Sequence, residues 1–224
     1  MGAFLSDTRT WVFDLDNTLY PPKVRLFDQI EAKMVDFVMD HLNVDRAKAN
    51  HLRRIYWERH GTTLAGLMDE HGMDPELFLI AVHDIDFTVL PPDPVLRDLI
   101  TALPGRKIIY TNGTAPYAEN VTGARGLGGI FDAIYGVEHA GFRPKPERAA
   151  FEAVFGLDGF DLATAAMFED EARNLEVPKA MGLATVHVAP TANAAPYIDH
   201  HCVDLTDVLT QVADTGAKIA MSGV

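Results

Sequence analysis

The chain has 224 residues, enough for one ordinary domain with a large insertion or for two small domains. Lys and Arg total 19 against 32 Asp and Glu, and the net charge of −13 argues against binding of nucleic acid or an anionic membrane. The single cysteine, Cys202, excludes an intrachain disulfide framework and favours a reducing compartment. Apolar runs are shorter than a membrane span, and no signal peptide is apparent. We expect a cytoplasmic protein, and both a monomer and a homodimer stay open.

The first predicted strand ends in a pair of aspartates. The apolar run at residues 10–13 leads directly into Asp14-Leu15-Asp16-Asn17-Thr18, which indicates a buried strand that enters a polar turn. Two carboxylates separated by one residue can act together, one as nucleophile or metal ligand and the other as acid and base. An Asp-rich turn without function is the ordinary alternative, and the pair alone does not decide between the two.

The next seventy residues carry a helical pattern without a strand-like run. Their apolar residues recur at helical spacing, as in Phe27, Ile30 and Met34. Stiff proline-containing segments, Pro21-Pro22 and Pro91-Pro92, stand at the two ends. We therefore predict an all-helical cap domain at residues 21–92, inserted after the first strand into a core of residues 1–20 and 93–224.

The rest of the chain alternates between strands and helices. Short apolar runs occur at residues 107–110, 133–135, 165–168 and 184–188, and helix-like stretches separate them. This alternation predicts an α/β fold, a Rossmann-like parallel sheet covered by helices on both faces. The run His200-His201-Cys202 lacks metal-ligand spacing, and we predict that it forms a loop before a last short strand.

Two further polar clusters follow or accompany these strands. Thr111-Asn112-Gly113 follows the second strand, and Pro116 marks the helix start that would complete an anion cradle; a hairpin turn is the alternative. Lys145 lies between two prolines just before a helix, so its direction is restricted and it could hold a phosphoryl oxygen. A solvated surface lysine is the alternative for Lys145.

The fourth cluster is acidic. Glu169 and Asp170 end a predicted strand, and carboxylates there are suitable Mg²⁺ ligands. Asp170 could also serve as a helix N-cap, and the two roles are compatible. Pro178 falls where the following helix should continue, so we expect a kinked or shortened helix and the role of Asn174 is the least secure.

The four clusters in this order resemble the four motifs of the haloacid dehalogenase-like (HAD) hydrolase superfamily over nearly the whole chain. The segments DLDNTLYPP and PPDPVLRDLI resemble the pyrimidine 5′-nucleotidase-type branch. The resemblance implies a Mg²⁺-dependent phosphomonoesterase that works through an aspartyl-phosphate on a small phosphorylated metabolite. Dehalogenase members lack an aspartate at the position of Asp16, so dehalogenation is disfavoured.

The resemblance also implies a role for each motif residue. Asp14 would be the nucleophile, and Asp16 would be the general acid and base. Thr111, Asn112 and Lys145 would bind the phosphoryl group. Mg²⁺ would be held by Asp14, the backbone carbonyl of Asp16 and Asp170, with Glu169 and Asn174 supporting these ligands from behind.

Two other functions stay open from the sequence. A phosphosugar mutase resembling β-phosphoglucomutase uses the same motifs, and a phospho-receiver-like regulatory module also unites aspartates, Thr and Lys on an α/β sheet. Substrate choice should come from the cap, where the turn at residues 61–66 and the side chains of Tyr20, Arg53, Tyr56 and Trp57 are candidates. We expect at least one of Tyr56 and Trp57 to belong to the core of the cap instead.

Overall fold

A computed structural model describes the backbone of residues 5–222 and the side chains of residues 5–214. Six strands form one sheet in the order β3-β2-β1-β4-β5-β6, and every neighbouring pair is parallel. The strands are β1 (Thr10–Phe13), β2 (Arg106–Tyr110), β3 (Ala133–Tyr135), β4 (Ala165–Glu169), β5 (Ala184–Val188) and β6 (His200–Cys202). The predicted α/β class and the first five strands are confirmed.

Helices cover both faces of the sheet. Both faces carry apolar side chains that must be buried: in β1, Trp11 and Phe13 pack on one face and Val12 packs on the other. The first face is covered by α5 (Pro94–Ala102), α6 (Ala115–Ala124) and α9 (Leu205–Ser222). The second face is covered by α7 (Arg148–Asp158) and α8 (Glu176–Met181). Within the described part of the chain, no helix is long and apolar enough to cross a membrane.

The insertion after β1 is entirely helical, as predicted. It contains α1 (Leu26–Leu42), α2 (Arg46–His60), α3 (Thr63–His71) and α4 (Pro75–His83). Asp45, Thr62 and Asp74 cap the starts of α2, α3 and α4 by accepting backbone N–H bonds. Gly66 permits close packing of α2 and α3, because a Cβ there would lie 2.3 Å from the Tyr56 ring.

One buried arginine holds both crossings between the insertion and the sheet. The guanidinium of Arg125 donates to the carbonyl of Leu19, where the chain leaves the core, and to that of Pro91, where it returns. Its remaining nitrogen is paired with Asp93 at 2.6 Å. The two connections are therefore fixed to α6 and to each other.

Two local predictions have different outcomes. The prediction that His200-His201-Cys202 forms a loop is wrong, because these residues are the edge strand β6, paired with β5. The shortening expected at Pro178 is confirmed: a 3-10 turn at Ala172–Leu175 precedes the six-residue α8, in which Pro178 occupies the first turn.

Candidate active site

The first motif lies at the centre of the sheet edge. Asp14 directly follows β1, which is the strand between β2 and β4, and its backbone N–H donates to the Phe168 carbonyl at 2.9 Å. Parallel strands bring their carboxyl ends to the same edge, so the residues after β2 and β4 flank Asp14 on its two sides. The side chain of Asp14 is buried and accepts a hydrogen bond from Thr18 Oγ1 at 3.1 Å.

Lys145 reaches this point from the segment before α7. Its Nζ lies 2.7 Å from Asp14 Oδ1, 2.6 Å from Glu169 Oε2 and 3.1 Å from the Tyr110 carbonyl oxygen. All three N–H donors of the ammonium group therefore have partners, and its side chain is only 1% exposed. The alternative of a solvated surface lysine does not hold for this residue.

Asn112 anchors the segment that carries Lys145. Its side-chain oxygen accepts the Lys145 N–H at 2.8 Å, and its amide donates to the Lys145 carbonyl at 3.2 Å. The predicted phosphate-binding role of Asn112 would therefore use its backbone N–H. Thr111 is buried beside it, and its Oγ1 accepts the Gly113 N–H at 2.9 Å while keeping its own proton for donation.

Three carboxylates lie close to Lys145, and their combined negative charge exceeds the single positive charge of the lysine. Oxygens of Asp14, Glu169 and Asp170 all lie within 4.8 Å of one another. Burial, and then the charges of Asp14 and Glu169, raise the pKa of Asp170 to about 10. Burial and the Glu169 charge also raise the pKa of Asp14, against the lowering effect of Lys145. The site thus has more negative charge than its own cation neutralises.

This donor set fits a magnesium ion. Carboxylate oxygens are hard ligands that Mg²⁺ accepts, and the three groups are close enough to share one ion. Glu169 is also bound to Lys145 and accepts the Glu171 N–H at 3.2 Å, which suits a supporting position. Asn174 is nearby and buried, and its Oδ1 has no hydrogen-bond partner. Asp170 does not cap the turn that follows, since the residue at its N-cap is Glu171.

The second aspartate points to a different set of partners. Asp16 Oδ1 accepts hydrogen bonds from the hydroxyls of Tyr20 at 2.5 Å and Tyr117 at 2.6 Å. Burial and the charge of Asp14 raise the pKa of Asp16 to about 6, while these two hydrogen bonds oppose the rise. The carboxyl group is therefore able to hold or release a proton near neutral pH.

The substrate-contact candidates divide between cavity and core. Tyr20 is buried, is bound to Asp16 and does not line the cavity, so its nomination as a candidate for substrate choice is wrong. Tyr56 is 1% exposed and lies in the core of the helical insertion, which confirms the expectation for one of the two aromatic residues. Trp57 and Arg53 line the cavity above Asp14, as do residues of the turn that begins at Gly61.

Two residues of the site were missed in the sequence analysis, Tyr117 and Arg173. Tyr117 comes from α6, and nothing in its local sequence indicates a carboxylate partner 101 residues away. Arg173, after β4, donates to the carbonyls of Trp57 and Gly61, and its guanidinium carbon lies 3.9 Å from the centre of the Trp57 ring. In the sequence, the contact between Arg173 and the insertion is indicated only by the presence of an arginine in the fourth motif.

Comparisons with known proteins concern the sequence and the fold of the chain. The chain is 25% identical over 196 residues to phosphate metabolism protein 8 of Saccharomyces cerevisiae, covering 80% of this chain and 60% of that protein's length. The HAD-hydrolase YfnB of Bacillus subtilis, solved with bound magnesium, matches with a TM-score of 0.58 at 18% identity, covering 92% of this chain and 98% of that one. L-2-haloacid dehalogenase of Xanthobacter autotrophicus, with chloropropionic acid covalently bound, matches with a TM-score of 0.59 at 15% identity, over 92% and 98% of the two chains.

At these identities the two solved structures support the fold and not the reaction. The family model of the haloacid dehalogenase-like hydrolases matches residues 8–182, which include all four motifs. The pyrimidine nucleotidase branch stays a prediction. The resemblance at the level of the superfamily is confirmed, and this chain belongs to the haloacid dehalogenase-like hydrolase family.

Proposed function

We propose that this hydrolase is a Mg²⁺-dependent phosphomonoesterase that acts on pyrimidine nucleoside 5′-monophosphates or a similar small phosphate ester. One observation carries the proposal: a buried carboxylate, Asp14, contacts a fully paired lysine and an acidic cluster at the floor of an open cavity. A second carboxyl group, Asp16, stands two residues away with a raised pKa. The name of the yeast relative supports a role in phosphate metabolism.

The two aspartates divide a two-step hydrolysis between them. Asp14 attacks phosphorus, the ester P–O bond breaks, and Asp16 gives its proton to the leaving oxygen. Asp16 then takes a proton from the water that attacks the phosphorus of the aspartyl-phosphate. As the water oxygen bonds to phosphorus, the bond between the Asp14 oxygen and phosphorus breaks, which releases inorganic phosphate and restores the Asp14 carboxylate.

The remaining residues bind and orient the phosphoryl group. Lys145 holds Asp14 in place and offsets negative charge, and the Thr111 hydroxyl donates to a phosphoryl oxygen. Mg²⁺ held by Asp14, the Asp16 carbonyl and Asp170 would supply positive charge that lets a dianionic ester approach the carboxylates. Glu169 and Asn174 would not bind the ion directly but would keep its ligands in position.

The cavity supports a nucleotide-sized substrate. Its volume is about 630 Å³, within the range of about 300–1,000 Å³ usual for small-molecule sites. The floor is polar, and the side of the helical insertion offers apolar and aromatic surface together with Arg53. The residues that form this surface include Phe27, Ile30, Met34, Trp57 and Phe78.

We further propose that residues 21–92 act as a cap domain over a core formed by residues 1–20 and 93–224. The Arg125 contacts at both crossings support these boundaries. The contacts of Arg173 with Trp57 and Gly61 support a cap that closes the cavity from the side opposite Asp14. A small phosphorylated metabolite is the partner that a cavity between core and cap would take.

Phosphate release from a panel of esters tests the proposed function. We expect UMP and CMP to release inorganic phosphate with Mg²⁺ and to be stable when EDTA removes the metal. Phosphosugars should react more slowly, and their phosphoryl group should appear as inorganic phosphate. Turnover of phosphosugars with inert UMP and CMP would contradict the nucleotidase assignment, and isomerised phosphosugar as product would indicate a mutase.

Magnesium is expected to stabilise the fold measurably. A ligand at 100 times its Kd stabilises by about 2.7 kcal/mol, which corresponds to a rise in Tm of about 5–10 °C for a chain of this size. The raised pKa of Asp170 means that protons compete with the cation, so the Tm shift should be larger at pH 8 than at pH 5. Thermal unfolding with and without MgCl₂ measures both effects.

Two variants control this experiment. Asp170→Asn should lose most of the Mg²⁺-dependent shift, because it removes one of the three clustered carboxylates. Asp40→Asn, an exposed aspartate on α1, should retain the shift. An equal Mg²⁺ response in both variants would show that the ion binds elsewhere.

A further inference from the structure

Two tyrosine hydroxyls converge on a single oxygen of Asp16. Tyr20 lies at 2.5 Å and Tyr117 at 2.6 Å, and both donate to Oδ1. In both contacts the tyrosine hydroxyl is the donor and the carboxyl oxygen is the acceptor. A carboxyl oxygen that accepts two O–H donors is a poor place for a proton. The proton of Asp16 therefore belongs on Oδ2.

The ring of Tyr117 is held from several sides. It stacks on His83 of α4 with 4.2 Å between ring centres and an angle of 10° between planes. A Cβ at position 113 would come within 2.7 Å of its Cδ1, so Gly113 is needed to make room for the ring. Thr114 fixes the backbone by accepting the Tyr117 N–H at 3.2 Å. The hydroxyl has little freedom to leave Asp16.

Tyr20 is the last residue of the core before the insertion begins. It is one turn beyond Asp16 along the chain and only 1% exposed. Directly before it, the carbonyl of Leu19 is bound by Arg125, so this part of the chain is also fixed. The two hydroxyls therefore come from the core segment just before the insertion and from α6, the helix that contacts His83 and Phe87 near the end of the insertion.

We propose that Tyr20 and Tyr117 are positioning residues that fix the carboxyl group of Asp16, so that Oδ2 delivers the proton to the leaving oxygen. The inference rests on the proposed phosphatase function, since it needs Asp16 as the general acid. Asp16 lines the cavity, whereas neither tyrosine is among the residues that line it. Their effect is confined to the orientation of Asp16 and to which of its oxygens is protonated.

Leaving-group basicity separates this role from a merely structural one. Phenyl phosphate has a basic leaving group that needs a proton in the transition state, whereas the nitrophenolate of 4-nitrophenyl phosphate leaves with little assistance. The two esters are alike in shape. The value of kcat/KM reports the steps through release of the first product, so it isolates the step in which Asp16 acts as an acid.

We expect Tyr117→Phe to lower kcat/KM for phenyl phosphate about tenfold more than for 4-nitrophenyl phosphate, with Tyr20→Phe acting in the same direction. Asp16→Asn should show the same selectivity to a greater degree. Tyr135→Phe is the matched control: it removes a hydroxyl that donates to Asp158 at 2.8 Å, and it should leave the ratio of the two esters at the wild-type value.

The outcomes distinguish this inference from the proposed function. Equal losses on both esters in Tyr117→Phe and Tyr20→Phe, with a selective loss in Asp16→Asn, would overturn the positioning role and leave the phosphatase intact. Absence of hydrolysis of any phosphate ester by the wild type would overturn the proposed function and this inference with it. Circular dichroism and Tm of each variant verify that the fold is retained.

Discussion

Asp14→Asn is expected to lower phosphate release by about a thousandfold or more while the fold stays intact. The amide cannot form the bond to phosphorus, and its geometry otherwise resembles that of the carboxylate. The amide oxygen can still accept from Lys145 Nζ, and the amide NH2 group can donate to Thr18 Oγ1, whose hydroxyl can accept as well as donate. Steady-state phosphate release and a thermal unfolding curve measure the two halves of this prediction.

Asp40→Asn is the matched control for Asp14→Asn, because it makes the same chemical change at an exposed site on α1. It should retain wild-type activity. The intact mass of the Asp14→Asn preparation should be measured, because a mass that matches the Asn form excludes hydrolysis of the new amide back to aspartate. Turnover by Asp14→Asn within a few-fold of the wild type, at the correct mass, would remove Asp14 from the role of nucleophile.

Lys145→Met is expected to destabilise the fold by about 3–5 kcal/mol as well as to remove activity. The substitution deletes the shared cation of two buried carboxylates, Asp14 and Glu169, and breaking a buried ion pair on one side leaves an uncompensated charge. Burial lowers the pKa of the lysine, but the two carboxylates outweigh that effect and hold it above the ordinary value. The ammonium group is therefore charged in the folded state.

The loss in Lys145→Met should depend on pH in a defined direction. Without the lysine the pKa of Asp14 rises further, so the folded variant binds more protons than the unfolded chain. Its stability should then fall as the pH rises, and the loss relative to wild type should be larger at pH 8 than at pH 5. Urea unfolding of the wild type and the variant at pH 5 and at pH 8 measures this difference in stability.

The exposed Lys48→Met variant should match the wild type in stability at both pH values. A loss in Lys145→Met below about 1 kcal/mol at pH 8 would show that the buried carboxylates do not depend on this cation.

The sheet and the convergence of the motifs could be predicted because they depend on local patterns and on one rule of topology. Apolar runs mark β1 to β5, and parallel strands bring their carboxyl ends together, which places Asp14, Thr111 and Glu169 at one edge. The edge strand β6 was missed because it is formed by backbone pairing with β5 and not by a run of apolar side chains. His200 and His201 therefore give no pattern that predicts a strand.

The partners of Asp16 could not be predicted for a different reason. Which side chains contact Asp16 depends on how α6 and the insertion pack around it, and the local sequence does not show that packing. Tyr20 was identified as a residue of interest, but a tyrosine after an Asp-rich turn looks the same whether it faces a substrate or a carboxylate. Tyr117 lies far from Asp16 in the chain, and only the folded structure brings its hydroxyl to 2.6 Å.

The most direct test of the account is covalent labelling of Asp14. The Asp16→Asn variant keeps the nucleophile and loses the base that activates water, so a phosphoenzyme should accumulate from 4-nitrophenyl phosphate, whose leaving group needs little protonation. With ³²P-labelled ester and Mg²⁺, we expect a burst of about one nitrophenolate per chain and label on the peptide that contains Asp14. Label on a different residue, or turnover by the wild type with neither burst nor label in Asp16→Asn, would contradict the account.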